Sequence, residues 1–368
     1  PHAYADFADW YQGNLNVFIE QQLPFWQERL TAVDALQLPV LSPDNVNTGQ
    51  QSSNVHEAIQ HRFHIDKSLF AKIQTQASQC QATPQMVMLS ALFILLYKQS
   101  SSTEKNLSAA KKMVIGSVVA GRDKLEFEDT VGAFVNTLAM VANVHHKMDF
   151  REVIQQVKAF CLLAYQHQDI AFESILDHFP SVRDGRHPIF QVMMVWQSMP
   201  AVDWRFAGLQ SEEIDLSATQ TAFDQTWLFT PTMNGLDGIL TVRTDMVGIN
   251  YIEALSAQLV QMLGNLLEAP KACIANVSLL SYAEYQKILS FNASLVSLNP
   301  ITPLESEHVS VIDTVCAMAL ETPNEWAIVS DELCLTYAEL LHKVDLFSEG
   351  LITLAQGSHS SENELVIG

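Results

Sequence analysis

The sequence predicts an α+β fold, with layers of helix on a largely mixed or antiparallel sheet. Helix-like and strand-like segments are intermingled without a regular βα alternation. Several helix-like segments open with strong start signals, and two of the strand-like runs are separated by glycine-containing turn residues typical of a hairpin. These three observations favour α+β over a regular α/β arrangement.

The first helix is predicted at Tyr4–Leu30, a stretch rich in aromatic residues and helix formers. Residues 38–54 are rich in Pro, Ser, Asn, Gln and Gly without periodicity, which predicts a long surface connection. Asp66 then precedes a second helix as its cap. Its apolar face carries Leu69, Phe70, Ile73 and Ala77.

A third helix is predicted to begin at Thr83-Pro84, with a capping threonine and a first-turn proline. Residues 86–97 are apolar almost all round, so this helix should be buried in the core. Residues 100–112 are polar and predict a loop. The β-branched run 113–120 predicts a buried strand.

Two later helices open with a possible capping box, in which an Asx residue is followed three positions later by Glu. The pairs are Asp149 with Glu152 and Asn250 with Glu253. Strands are predicted at 189–196, 227–232 and 239–244, and the last two should form a hairpin. Its turn would contain Asn234-Gly235 and Asp237-Gly238.

The composition changes near Asn292, where a linker is predicted to begin and to extend to residue 308. A compact segment follows. Ser310 and Asp313 could cap a helix to about Leu320, and residues 326–330 and 333–335 predict a hairpin around Asp331-Glu332. Thr336 with Glu339 caps a final helix that Gly350 can end, and 356–364 is polar.

Composition excludes several classes of partner. The chain has 20 Lys and Arg against 41 Asp and Glu, a formal charge of −21, which disfavours binding to nucleic acid and to anionic membranes. No apolar run approaches the roughly 20 residues of a membrane-spanning helix. No secretory signal opens the sequence, and the five cysteines are widely spaced, so we expect reduced thiols in the cytoplasm.

Common catalytic and metal-binding motifs are missing from the sequence. It holds no GxSxG nucleophile elbow, no Walker-type phosphate loop and no HExxH zinc motif. Its twelve histidines are scattered, and His61 and His64 have no matched carboxylates. We therefore predict no metal site and no cofactor bound by this chain.

Six short strings occur in order across residues 1–292: YADFADW from Tyr4, IGSVVAGRD from Ile115, VGAFVNT from Val131, HQDIAFE from His167, RDGRHPIFQV from Arg183 and FD at Phe223. Together they resemble the motifs of condensation domains of nonribosomal peptide synthetases. The resemblance implies one lobe of the two-lobed fold shared with chloramphenicol acetyltransferase. It also implies a reaction in which carrier proteins deliver substrates on phosphopantetheine arms, and one substrate's amine attacks the other's thioester.

The resemblance implies a structural or channel-lining role for a set of motif residues. They are Tyr4, Asp6, Trp10, Arg122, Asp123, Asn136, Thr137, His167, Gln168, Asp169, Arg183, Asp184, Phe190, Gln191 and Asp224. The family's catalytic motif, HHxxxDG, precedes the YADFADW string in the family, so here it would lie before Pro1. We therefore assign no catalytic residue, and we expect that the chain alone makes no peptide bond.

His145-His146 with Asp149 is an imperfect substitute for that motif, with one residue too few and Phe150 in place of Gly. Capping of the following helix by Asp149 is the favoured interpretation, since it explains Asp149 and Glu152 together.

Other motif residues keep two interpretations. Arg122-Asp123 could line a channel or could be a structural pair holding a strand end. His167 could transfer protons, or with Asp169 it could fix the break between two helices, with Phe172 anchoring the second. Asn136-Thr137 is interpreted as a buried hydrogen-bonding pair, and 190–196 as core.

The C-terminal segment resembles the opening of an adenylation domain through Thr322-Pro323, AIV from Ala327 and LTYAEL from Leu335. The resulting domain prediction is a partial condensation domain at 1–292, a linker at 293–308 and the start of an adenylation domain at 309–368. Expected partners are carrier proteins, the missing N-terminal lobe and the rest of the adenylation domain. A carrier-docking lobe without activity and a stand-alone coenzyme A-dependent acyltransferase remain alternatives.

Overall fold

The computed structural model describes residues 3–31, 57–101, 110–122, 124–179, 186–197, 219–245, 249–296, 311–330 and 333–357, together with Val33, Leu36 and Leu38. These residues fall into two compact units, Pro1–Lys287 and Ile288–Gly368. Apart from the buried Leu38, the connection predicted at 38–54 lies outside the described residues. So do the cap predicted at Ser310 and the predicted hairpin turn at Asp331-Glu332.

A six-stranded mixed sheet forms the centre of the first unit, which confirms the predicted fold class. Its spatial order is β1-β6-β5-β4-β2-β3. β4 runs parallel to β2 and β5, and the other neighbours are antiparallel. The strands are β1 (Ala58–Asp66), β2 (Lys111–Val119), β3 (Asn136–Val144), β4 (Val192–Trp196), β5 (Gln225–Thr232) and β6 (Gly235–Arg243).

The predicted hairpin is formed by β5 and β6, but its turn is shorter than expected. Thr232 pairs with Gly235, so Met233 and Asn234 alone form the turn. Gly235 has φ +143°, and a Cβ there would collide with the Ile65 carbonyl oxygen. The prediction that Asp237-Gly238 belongs to the turn is wrong. Both residues pair within the sheet, because β6 is flanked by β1 and β5 along its whole length.

Seven helices cover the described part of the first unit or extend from it. α1, α2 and α4 begin as predicted. The Asp66 carboxylate accepts from the Leu69 N–H at 2.8 Å, and Asp149 and Glu152 form the reciprocal capping box at 2.9 Å. The helices are α1 (Tyr4–Leu30), α2 (Lys67–Gln79), α3 (Pro84–Ser101), α4 (Phe150–Tyr165), α5 (Phe172–Leu176), α6 (Ile249–Glu268) and α7 (Tyr282–Val296).

The helix α3 is the core of the first unit, as its apolar composition predicted. Every side chain from Met86 to Tyr97 is buried, the hydroxyl of Ser90 being satisfied by the Met86 carbonyl at 2.7 Å. Within the described residues, no single helix is long and apolar enough to cross a membrane. The pair α2 and α3 passes that test together but is bent by 102° between them.

The predicted cap of α6 is wrong. The helix begins at Ile249, so Asn250 is already its second residue and cannot be the N-cap. The predicted linker also starts too early, since α7 continues through residues 293–296. The first residue of α6 and the last turn of α7 were mispredicted because the ends of helices are weakly marked in sequence. Helix propensities differ by only tenths of a kcal/mol per residue.

The second unit contains α8 (Val311–Glu321), the antiparallel pair β7 (Trp326–Val329) and β8 (Cys334–Thr336), and α9 (Tyr337–Gly357). The predicted hairpin is confirmed. The predicted cap is also confirmed: the Thr336 N–H donates to Glu339 at 2.9 Å, and the Glu339 N–H donates to the Thr336 hydroxyl at 3.3 Å. Gly350 does not end α9, because a glycine inside a helix costs only about 1 kcal/mol.

Candidate functional site

An aromatic pocket of about 230 Å³ lies on the first unit and brings together six of the predicted site residues. Three segments form it: the first half of α1, the described residues from Gly121 to the first residue of β3, and residues 168–173, which lead into α5. The predicted residues at its wall are Tyr4, Trp10, Arg122, Asn136, Gln168 and Asp169.

Aromatic rings form most of this wall, and Phe7 is at their centre. Its ring lies 4.5 Å from Phe134 and 5.3 Å from Phe127, centroid to centroid. Tyr4 packs edge-on against Phe134, and its hydroxyl donates to the Ala133 carbonyl at 2.9 Å. Sequence reasoning missed Phe7, although Tyr4, Phe7 and Trp10 recur at the three-residue spacing of one helix face.

Arg122 fixes the loop that follows β2. Its guanidinium donates to the carbonyls of Phe127 at 3.0 Å and Thr130 at 2.6 Å, and lies 4.2 Å from the centroid of Phe134. Gly121 precedes it with φ +64°, and a Cβ there would collide with the Phe134 carbonyl oxygen. Arg122 is therefore both a structural residue and a pocket residue. Asp123, its predicted partner, lies outside the described residues.

Asn136 joins the start of β3 to the connection between α4 and α5. Its Nδ2 donates to the Gln168 and Ile170 carbonyls at 2.9 and 2.8 Å. Its Oδ1 accepts from the Thr137 and Phe172 N–H groups at 2.8 and 3.2 Å. All four hydrogen-bonding positions of the amide are used. Asn136 and Thr137 are each half-buried, whereas the sequence predicted a buried pair. Thr137 pairs with Val118 in the sheet.

The segment 167–170 is fixed by α1. Gln22, which is 7% exposed, donates to the Asp169 carboxylate at 2.9 Å and accepts from the Asp169 N–H at 3.1 Å. Trp26 donates to the His167 carbonyl at 3.0 Å. Sequence reasoning missed Gln22, because a glutamine in a helix gives no local sign of a partner far along the chain.

His167 itself faces away from the pocket wall. Its ring stacks on Phe25 with centroids 4.0 Å apart, and Nδ1 lies 2.9 Å from the Leu163 carbonyl. These contacts join the end of α4 to α1. Within the described part of the chain, no histidine lines the pocket. The described wall of the pocket therefore combines aromatic rings with the polar side chains of Arg122, Asn136 and Asp169.

The remaining predicted residues lie elsewhere. Gln191 is buried, accepts from the Leu36 N–H at 2.7 Å and donates to the His187 carbonyl at 3.0 Å. Phe190 is core, as predicted, and stacks on Phe223. Asp6 accepts from the Ala3 N–H at 2.8 Å at the start of α1. Arg183 and Asp184 lie outside the described residues.

Asp224 belongs to a buried ion network between β5 and β6. It is 1% exposed, and its Oδ1 lies 3.3 Å from Arg243, which is 4% exposed. Arg243 also donates to the Asp245 carboxylate, from Nε at 3.0 Å and from Nη2 at 2.6 Å. On the other side of Asp224, the Nε of Arg186 lies 3.9 Å from Oδ2. The sequence predicted none of these pairings.

The prediction that Asp149 is a helix cap is confirmed by its capping box with Glu152. The neighbouring His146 carbonyl accepts from Cys273 Sγ at 2.6 Å and from the Ala275 N–H at 3.2 Å. His145-His146 is thus part of a packed junction between β3 and α4. Among the described residues, no three or more His, Cys, Asp or Glu side chains are grouped to hold a metal ion.

Burial alters the pKa of several groups near these segments. Partial burial raises the pKa of Tyr11 in the pocket wall, and the nearby carboxylates of Asp169 and Glu173 raise it further. Burial raises the pKa values of Cys161 and Tyr165 on α4 to about 12. These groups therefore stay protonated at neutral pH.

The environment of His187 should make the stability of the first unit depend on pH. Burial lowers its pKa, and Nδ1 accepts from the Ile189 and Phe190 N–H groups at 3.4 and 3.3 Å, which requires the neutral ring. The unfolded chain takes up this proton below about pH 6.5, so the free energy of unfolding should fall as the pH drops from there. Urea unfolding at pH 7.5 and 5.5 measures the effect. His187→Asn, which keeps an acceptor that does not titrate, should show a weaker pH dependence, and equal slopes would contradict the assignment.

Comparison with known proteins gives the family. The sequence profile of the condensation domain matches residues 1–289. The dimodular nonribosomal peptide synthase of Bacillus subtilis (strain 168) is 27% identical over 368 residues, covering 96% of this chain and 15% of that protein. Tyrocidine synthase 3 of Brevibacillus parabrevis is 27% identical over 362 residues, covering 97% of this chain and 5% of that protein.

The fold agrees with this result. The condensation domain of the monacolin K polyketide synthase MokA matches with a TM-score of 0.63 at 18% identity, over 74% of this chain and 63% of that one. The chain spans only a small part of the two synthetases named above. Over residues 1–289 the chain belongs to the condensation-domain family, and its relatives are nonribosomal peptide synthetases.

Proposed function

We propose that residues 1–292 are most of the C-terminal lobe of a condensation domain, in which the amine of one carrier-bound substrate attacks the thioester of another to form an amide bond. One observation carries the proposal: four motif strings, from three separate stretches of the sequence, meet at one aromatic pocket. They contribute Tyr4 and Trp10, Arg122, Asn136, and Gln168 with Asp169. That the match spans 63% of the MokA condensation domain chain supports a partial domain.

In this proposal the pocket is one wall of the channel that receives the phosphopantetheine arms of carrier proteins. The packed rings, and the hydrogen bonds that Arg122 and Asn136 make to the surrounding backbone, fix this surface. A fixed surface lowers the entropic cost of bringing amine and thioester together. Proton transfer needs a further group, since the 368 residues contain no HHxxxDG motif. We assign it to an N-terminal lobe outside this sequence. The chain itself is proposed to bind no cofactor and to act in the reducing cytoplasm.

Residues 309–368 are proposed to be the first segment of an adenylation domain, joined to the condensation domain through the linker that precedes them. Large apolar side chains support an incomplete unit, because Leu320 is 85% exposed, Val329 71% and Trp326 60%. The remainder of such a domain would cover them. Without its phosphate loop, this segment is proposed to bind neither ATP nor an amino acid.

An amide-forming assay with two loaded carrier proteins tests the proposal. The chain alone should give no dipeptidyl product above the carrier-only control by mass spectrometry. Addition of an N-terminal lobe that carries HHxxxDG should restore product. Product from the chain alone would contradict the missing-lobe assignment. Failure of the reconstituted pair, with carriers still bound, would favour the docking-lobe alternative, and acyl transfer from coenzyme A would favour the stand-alone acyltransferase.

Asn136→Ala tests whether the pocket contributes to that reaction. Its loss should free residues 168–172 and lower the rate of the reconstituted pair at least tenfold, because near-attack geometry is sensitive to small displacements. Asn143→Ala is the matched control, since Asn143 lies on the same strand and is exposed. Equal rates for the two variants would exclude the pocket from the channel.

A further inference from the structure

A second groove, of about 390 Å³, lies on the first unit between one face of α2, the first turn of α4 and the end of α6. Its polar wall includes Lys72 and Gln79 of α2 and Arg151 of α4. Its apolar wall includes Ala71, Leu267 and Pro270. No residue of the aromatic pocket lines it, and none of the six motif strings contributes to it.

Arg151 is a half-buried cation whose charge is not balanced by the described residues. Its Nη2 donates to the Gln79 side-chain oxygen at 3.0 Å, which fixes the guanidinium. Its Nε is buried and, within the described structure, has no hydrogen-bond acceptor. No described carboxylate lies within 4 Å of it. A guanidinium without a paired carboxylate is free to accept an anion at its terminal N–H groups.

Lys72 adds a second cation to the same groove. Its ammonium lies 3.8 Å from Glu268, but the two side chains are 50% and 71% exposed, so this pair is weak and open to competition. No acidic residue is among the groove's described lining residues. Two cations without a lining acid are unusual on a chain with a formal charge of −21.

We propose that this groove binds the phosphate group of a phosphate monoester. The terminal N–H groups of the Arg151 guanidinium that Gln79 does not use would donate to the phosphate oxygens, and Lys72 would neutralise the second charge, which a monoester carries near pH 7. The groove is larger than a phosphate ion needs. The organic part of the ester therefore lies against Ala71, Leu267 and Pro270.

Isothermal titration calorimetry of the full chain tests the site, with inorganic phosphate and phenyl phosphate as probes. Both should bind saturably, phenyl phosphate at least threefold tighter because its ring contacts the apolar wall. Arg151→Gln should weaken both at least tenfold, and Lys72→Gln about threefold. Matched controls are Arg29→Gln, on α1, and Lys343→Gln, in the second unit, and both should bind like the unmodified chain.

Absence of saturable binding, or equal affinities for Arg151→Gln and Arg29→Gln, would overturn the proposal. Equal affinities for the two probes would overturn the assignment of the apolar wall. Because Lys72 is exposed, Lys72→Gln decides the question even if Arg151→Gln fails to fold. In that case an affinity equal to that of Lys343→Gln would overturn the site.

Discussion

Asp224→Ala should lower the free energy of unfolding of the first unit by about 3–5 kcal/mol, because it leaves the charge of Arg243 buried with one fewer counterion. Arg243 is 4% exposed, so water cannot replace the lost carboxylate. Asp245 continues to bind the guanidinium but is itself one-third exposed, and it compensates only in part.

Urea unfolding, followed by the fluorescence of the buried Trp227, measures this effect. Asp237→Ala is the matched control: it removes an exposed aspartate of β6, the strand that carries Arg243, and this aspartate pairs with His64. It should cost under about 1 kcal/mol. The double variant Asp224→Ala/Arg243→Met should recover part of the loss, since it removes the stranded charge. Equal midpoints for Asp224→Ala and Asp237→Ala would show that the network does not stabilise the fold.

Trp26→Ala should cost about 3–5 kcal/mol of unfolding free energy, the usual result of removing a fully buried large aromatic side chain. Trp26 is 0% exposed and also holds the His167 carbonyl. Loss of this anchor should loosen residues 167–170, which carry Gln168 and Asp169 to the pocket. Hydrogen exchange of that segment should therefore rise more than exchange in the distant hairpin of β5 and β6.

Trp26→Phe separates the two effects. It keeps most of the apolar volume and removes the indole N–H, so it should cost less than the alanine variant while still raising exchange at residues 167–170. Trp10→Ala is the control on the same helix. Trp10 is half-buried in the pocket wall and makes no hydrogen bond to the His167 carbonyl, so its loss should raise exchange at residues 167–170 less than Trp26→Phe does. An unchanged exchange rate in Trp26→Phe would show that the hydrogen bond does not hold the segment.

The sequence predicted best what depends on local chemistry. The caps at Asp66, Asp149 and Thr336 involve partners three residues apart. A segment that is apolar almost all round, such as residues 86–97 of α3, is expected to be buried. The exact start of β6 could not be predicted, because Asp237-Gly238 is a good turn by itself and is held in the sheet by strands on both sides.

The site was predicted only in outline, because its residues are held by contacts that local sequence does not reveal. The motif strings identified Arg122 and Asn136, but the hydrogen-bond partners of these residues are backbone groups, which carry no sequence signal. Gln22 and Phe7 act through contacts with segments more than a hundred residues away. The buried network of Asp224 could not be recognised until the pairing of β5 with β6 placed Arg243 beside it.

The position of β4 in the sheet has a consequence for how the protein folds. Its five residues join two antiparallel blocks, β1-β6-β5 on one side and β2-β3 on the other. Each block contains a pair of strands that are close in sequence, whereas Gly116 of β2 must find Met193 of β4 across the intervening helices. Closure of long loops slows this step, so the two blocks should form early and their union through β4 should limit the refolding rate.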